Sequence, residues 1–391
     1  MPENIALYVL LVVALGIGYL LGRRERKAKS KDLGMVAEDY FKGLNHLLNE
    51  RHDLAIDTFV ESMAVDNDTV DTHLALGSLV RRRGEVDKAI RIHQNLLARP
   101  VLSAAHRTQT ELELARDYLV AGLLGRAENL LKELAERNGS ARQVAQELLL
   151  EIYQREREWE DAVRIGTELA RTDKSIRTQL AHFQCELAEL ALAEGDLRAA
   201  RSALGKANGF DSQCARVPLV AAQAAYAENR YKEVQRQLVK ARDLDSELAQ
   251  ETLELFQRAA DELNDPAGYI SYLRTCLEKA PVLAVVEQLA KDIEQKEGAD
   301  AANEFVLEQL LRNPSLGGFV TLLNRLDQGD QPLPPDQLAL VRRFSQSLLQ
   351  RQPVYRCKNC GFSGKTLMWQ CPSCRSWGTI KPIVQAQREE A

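Results

Sequence analysis

Along most of this chain, apolar residues recur every three or four positions, in short blocks separated by polar turns. One such block is Leu112, Leu114, Ala115, Tyr118 and Leu119, followed by Ala127, Leu130, Leu131 and Leu134. That spacing places apolar side chains on one face of an α-helix and predicts a helix-rich chain. The blocks come in pairs. One position at the start of the second helix of each pair keeps a register: Ala55, Ala89, Ala127, Ala162, Ala200, Val234, Tyr269 and Ala302, with steps of 34, 38, 35, 38, 34, 35 and 33 residues. Gly43 and Gly77 stand twelve residues before their alanines, and Ala115 and Ala222 hold the matching place. A small residue is expected there because the paired helices cross closely. Pro281 and Pro314 follow their markers by twelve residues, with Asn67 and Val101 in the earlier repeats. Proline stops a helix by removing an N–H and clashing with the preceding turn. The turns inside the pairs read Gly84-Glu85, Gly125-Arg126, Arg157-Glu158-Trp159 and Gly195-Asp196.

A period of about 34 residues built from two helices resembles the tetratricopeptide family. The resemblance implies an all-α superhelix over residues 35–314, about eight repeats sharing one continuous core. Its inner face, lined by the first helix of each repeat, would form a long groove for a peptide or protein, with Asn45, His73 and Glu113 as candidate lining residues. The Asn and Lys pattern that clamps a partner's C-terminal carboxylate in some such proteins is not evident. The six histidines are scattered, and His93 sits at a core-type position, where packing is the expected role. No glycine-rich phosphate loop, Gly-x-Ser-x-Gly elbow or His-Glu-x-x-His motif occurs, so no enzyme is expected. Composition agrees, at 45% hydrophobic and only 6% aromatic residues, and the net charge of −5 argues against nucleic acid as the main partner.

The N-terminus breaks the pattern. Ile5 to Leu21 is uncharged for 17 residues, the lower limit for spanning a bilayer. Residues 1–22 are therefore expected to be a membrane anchor. A cleaved signal peptide carries its basic residues before the apolar run. Here Arg23, Arg24, Arg26, Lys27, Lys29 and Lys31 follow it, in a basic linker over residues 23–34. Positive charge stays on the cytoplasmic side, which puts the short N-terminus outside and the rest of the chain in the cytoplasm. The basic run also suits anionic lipid head groups.

Beyond Pro314 the period fades. Residues 315–352 are expected to cap the array, with a helix over Leu316–Leu326, a break through Pro335 and a last amphipathic helix carrying Leu338, Val341, Phe344, Leu348 and Leu349. Residues 353–383 then hold Cys357, Cys360, Cys371 and Cys374, two C-x2-C pairs ten residues apart, ahead of a short tail at 384–391. Four thiolates at that spacing suit one tetrahedral ion, with zinc expected and iron the alternative. So small a module cannot bury enough core to fold alone, so the metal must contribute. Phe362, Leu367, Met368, Trp369 and Trp377 form its expected apolar cluster, with some to spare for docking on the array. The other cysteines, Cys185, Cys214 and Cys276, are expected to be buried small hydrophobes. Cys-x2-Cys-Gly-Phe is similar to the first half of a rubredoxin, although Arg375 replaces the glycine of its second knuckle. Trp369 to Trp377 also resembles the zinc ribbon of the RadA recombination protein, whose ATPase loop is missing here. A redox protein and a nucleic-acid-binding ribbon thus remain alternatives to a structural site.

The order of anchor, helical repeats and four-cysteine knuckle resembles the lipopolysaccharide assembly protein B family across the whole chain. That resemblance implies a non-enzymatic, single-pass inner-membrane adaptor with a periplasmic N-terminus. It implies restraint of lipopolysaccharide synthesis by helping the membrane protease FtsH degrade LpxC, the deacetylase of the committed step in lipid A synthesis. It further implies a response to the membrane protein PbgA (YejM), and it is compatible with a homodimer. The metal ligands of the family fall on Cys357, Cys360, Cys371 and Cys374, and its metal module packs on the repeats.

Overall fold

A computed structural model describes residues 69–326, except 101, 138 and 314, and residues 352–383, with Asn45, Ser345, Gln346, Leu349 and Gln350 as isolated positions. The expected anchor, the basic linker, the first repeat with Gly43 and Ala55, nearly all of the last capping helix and the tail lie outside the described residues. Among the described residues, no helix is long and apolar enough to cross a membrane. The chain divides into two compact units after Glu156.

The first unit contains α1 (Val70–Arg82), α2 (Val86–Leu97), α3 (Ala104–Val120), α4 (Leu124–Glu136) and α5 (Ser140–Glu156). The second contains α6 (Trp159–Leu169), α7 (Ile176–Ala193), α8 (Leu197–Phe210), α9 (Arg216–Ala227) and α10 (Tyr231–Leu244). It continues with α11 (Ala249–Glu262), α12 (Pro266–Lys279), α13 (Leu283–Glu297), α14 (Ala299–Arg312) and α15 (Leu316–Leu326). The register read from the sequence has a structural meaning. Ala89, Ala127, Ala162, Ala200, Val234, Tyr269 and Ala302 are each the fourth residue of an even-numbered helix, and all are buried.

The turns ahead of those helices share a backbone device. Gly84, Gly122, Arg157, Gly195, Asn229 and Asn264 each stand two residues before an even-numbered helix, and each has a positive φ. A left-handed residue reverses the chain in little space, and glycine adopts it without steric cost. The expected turn at Gly125-Arg126 is therefore corrected. The left-handed residue is Gly122, and Gly125 already lies inside α4. Side-chain caps add to this, at two of these turns and ahead of α3. Ser103 accepts from His106 N, Asp196 from Ala199 N and Asp265 from Gly268 N, with Pro266 at the first position of α12.

In the first unit the core carries a buried polar network. Asp117 on α3 accepts from Arg81 on α1, 2.8 Å away, and bonds His93 Nδ1 on α2. Arg81 also reaches Glu113 at 2.8 Å, and Ser78 donates to Glu113 at 3.0 Å. Burial works against the Glu113 charge. The hydrogen bond from Arg81 and the charges of Arg116 and Arg81 outweigh it and hold the carboxyl below its ordinary range. His73 and Glu113 are thus buried rather than groove-lining, whereas Asn45 is exposed.

In the second unit the core runs through α9 to α13, with Val234, Leu238, Phe256, Tyr269, Tyr272 and Leu273 among its buried members. The C-terminal ribbon adds three short strands, β1 (Tyr355–Cys357), β2 (Ser363–Gly364) and β3 (Ile380–Pro382), in the antiparallel order β2-β1-β3. Cys357 pairs with Ile380 across β1 and β3, and Tyr355, Cys357, Cys371 and Ile380 form the ribbon's small core.

Candidate metal centre

The two knuckles of the ribbon are built alike. Gly361 N donates to Cys357 O at 2.9 Å, and Arg375 N donates to Cys371 O at 2.8 Å. Gly361 and Arg375, each directly after the second cysteine of its pair, have φ of 77° and 57°. Arg375 therefore takes the left-handed place of a glycine without changing the turn. The turns bring the four sulfurs within 4.8 Å of one another, with Cys357–Cys374 at 3.7 Å and Cys360–Cys371 at 3.6 Å. A tetrahedron with metal–sulfur bonds of about 2.3 Å has an edge of about 3.8 Å. The sulfur cage fits one ion of that kind.

The thiols themselves sit in different surroundings. Cys374 Sγ lies 3.4 Å from Ser376 Oγ, and the hydroxyl with the Asn359 amide pulls the thiol down to about 5. Burial pushes Cys371 up to about 11. A bound cation would remove that conflict, because coordinating thiols are deprotonated. With four sulfurs the coordination shell is closed, so the arrangement suits a structural ion, without an open position for substrate.

The ribbon is seated on the repeats of the second unit through aromatic and charged contacts. Trp377 stacks on His182 of α7 with ring centroids 5.2 Å apart, and meets Phe183 and Trp159 edge-on at 5.5 and 6.1 Å. Trp369 covers the guanidinium of Arg216 on α9, whose Cζ lies 5.2 Å from the ring centroid. Arg216 is fully buried and ion-paired to Glu186 at 2.8 Å and Glu189 at 2.9 Å. Around the rim, Lys381 pairs with Asp245, Lys358 pairs with Glu247 at 2.6 Å, and Tyr355 OH donates to Glu251 at 2.6 Å. Burial and that carboxylate raise the Tyr355 phenol well above its usual range, so it stays a donor at neutral pH.

Residues 355–382 match the family described as rubredoxin metal binding domain. Over 380 residues the chain is 36% identical to lipopolysaccharide assembly protein B of Escherichia coli strain K12, covering 96% of this chain and 97% of that protein. The chain belongs to the lipopolysaccharide assembly protein B family. The Haemophilus influenzae member is 32% identical over 389 residues, covering 96% of this chain and 98% of its own. Among solved structures, the C-terminal part of a TPR repeat-containing protein from Cytophaga hutchinsonii is similar at a TM-score of 0.37 and 13% identity, covering 68% of this chain and 98% of that one.

In this family member the four cysteines read from the sequence are brought to one point, and among the described residues they are the one cluster placed to share a metal ion. The expected apolar cluster divides in two. Phe362 and Met368 pack inside the ribbon, Leu367 serves both sides, and Trp369 and Trp377 face the repeats. Cys185, Cys214 and Cys276 are buried, as their spacing predicts. His182 and Arg216 have no expected role in the sequence reading. Both mark the seat of the ribbon, and nothing within their own helices distinguishes them from ordinary packing or solvent-facing residues.

Proposed function

We propose that this protein is a non-enzymatic, membrane-tethered adaptor in lipopolysaccharide assembly, promoting FtsH-dependent degradation of LpxC under the control of PbgA (YejM). The full-length likeness to lipopolysaccharide assembly protein B carries this reading. The architecture supports it. Helical repeats supply extended surface for protein partners, and the closed four-sulfur site holds a module together. Zinc is the ion we assign, as a scaffold for the ribbon and its seat on the repeats.

The mechanism is effective concentration. The uncharged run at residues 5–21 and the basic residues after it keep the scaffold in the inner membrane beside the protease. A soluble client held by the repeats then meets the protease as a local event, so degradation accelerates without any chemistry from the adaptor. Deleting the anchor is expected to spare client binding in solution and abolish client turnover in cells.

The deciding experiment is a pull-down from native membranes, read by mass spectrometry, comparing wild type with Cys357→Ser/Cys360→Ser. Co-purification of a membrane protease and LpxC with wild type, lost in the variant, supports the adaptor. Absence of both from the wild-type sample sinks it.

A further inference from the structure

Between the ribbon and helices α7, α9, α10 and α11 of the second unit lies an open groove of about 400 Å³. Its floor is apolar, with Leu219, Val220 and Leu238 from α9 and α10. One wall is helical and acidic. Glu189, Glu251 and Glu254 line it with the cation Arg258, and Glu189 is already paired with Arg216 beneath Trp369. Glu254 and Arg258 pair on the exposed face of α11, where such a pair is worth little and is readily exchanged. The other wall belongs to the ribbon: Leu367 and Trp369, from the segment between the two knuckles.

We infer that this groove binds a client segment carrying a bulky apolar side chain flanked by lysine or arginine. This inference rests on the adaptor reading and names the chemistry of what the adaptor holds. The apolar floor and the Leu367 and Trp369 wall take the apolar side chain out of water. Glu251, bonded among the described residues only to the neutral Tyr355 phenol, and Glu254, in its exchangeable pair, meet the flanking cations. Opposite charge across such a rim sets partner choice and encounter rate more than raw affinity. Phosphate-bearing ligands are disfavoured by the same carboxylates. One wall of the groove exists only while the ribbon is folded, so client binding is linked to the metal through shape, although no part of the client touches the ion.

The test uses the full-length, metal-loaded protein in nanodiscs of zwitterionic lipid. The probes are a short fluorescein-labelled peptide alternating leucine and lysine and its leucine–glutamate counterpart, followed by fluorescence anisotropy. The cationic peptide is expected to bind and the acidic one not. Gln223, which lines the groove from α9, and Glu254 are both exposed, so Gln223→Lys/Glu254→Lys leaves the fold intact, as circular dichroism will verify. This variant is expected to weaken the cationic peptide by about tenfold or more and to gain binding of the acidic one. Equal binding of both peptides to wild type, or an unchanged affinity in the variant, overturns the inference. Tighter peptide binding after neutralising Arg23, Arg24, Arg26 and Lys27 makes the chain's own basic run the occupant and overturns the client assignment. In the native-membrane pull-down, a variant that still retrieves the client removes the groove while leaving the adaptor standing. A wild type that retrieves no client removes the adaptor itself.

Discussion

The imidazole of His182 on α7 lies against the indole of Trp377 in the ribbon, with centroids 5.2 Å apart and planes 28° from parallel. The partners are nearly 200 residues apart in the chain, and Trp377 stands outside the ribbon's own small core. Their contact is the centre of an aromatic patch completed by Trp159 and Phe183. Trp377→Ala removes the ring that touches all three. The expected loss is about 3 kcal/mol, the usual cost of emptying a packed tryptophan site. Trp377→Phe should retain much of it. Urea unfolding followed by tryptophan fluorescence measures the loss, and limited proteolysis should release the ribbon first. A Trp377→Ala protein as resistant as wild type would mean that the charged rim alone seats the ribbon.

Metal removal should act on the same seat. The ribbon's own core is four buried residues and three short strands, too little to hold a fold without the ion. The helices of the second unit have a separate core and should keep theirs. Chelation, or Cys357→Ser/Cys360→Ser, is therefore expected to leave helical circular dichroism almost unchanged. All three tryptophans of the chain meet at the ribbon seat, directly or through Arg216, so their emission should shift to the red. Unchanged emission after verified loss of metal would show that the ribbon stays folded and docked without it.

The repeat register and the four metal ligands were legible in the sequence because both depend on spacing alone. A small residue recurs where paired helices cross, and two C-x2-C turns can converge on one ion wherever they sit. The faces of the first helices were not legible. His73 and Glu113 have the polarity of solvent-facing residues, but the partners that bury Glu113 are Ser78 and Arg81, one repeat earlier. A pairing across a period leaves no trace within a helix. The turn at Gly122 was misplaced for a local reason: Gly122 and Gly125 lie within one turn's length, and only the backbone tells which of them is left-handed. The seat of the ribbon was half visible. Two tryptophans beside the knuckles exceed what so small a module can bury, whereas Arg216 reads as a surface residue until Trp369 covers it.

Gly77 offers a sharper test of the close crossing. A Cβ there would stand 2.6 Å from Cε1 of His93 on α2. The ring cannot retreat, because Asp117 holds its Nδ1 and Arg81 holds Asp117. Alanine improves helix propensity by about 1 kcal/mol over glycine, yet overpacking a fixed core typically costs about 1–3 kcal/mol. A net destabilisation of about 1–2 kcal/mol is expected for Gly77→Ala. In a His93→Ala background the same change should cost nothing or stabilise slightly. A double-mutant cycle by denaturant unfolding measures this coupling, and simple additivity of the two changes would rule out the steric account.

The left-handed turns allow substitutions of opposite sign at equivalent places. Gly195 has a φ of 80°, and a Cβ built there meets nothing within 4 Å, so the cost of Gly195→Ala is purely one of backbone conformation. About 1 kcal/mol of destabilisation is expected, the usual penalty for a Cβ in this region. Arg157 holds the corresponding turn position with a φ of 59° and already bears that penalty. Arg157→Gly should therefore stabilise, although glycine's greater freedom in the unfolded chain offsets part of the gain and leaves about 0.5 kcal/mol. Asn229→Gly should gain less, since asparagine tolerates this conformation better than arginine. Thermal unfolding of the three variants should therefore rank Arg157→Gly above Asn229→Gly, with Gly195→Ala below wild type. If Arg157→Gly instead melts lower than wild type, the arginine side chain contributes more to the turn than its backbone strain removes.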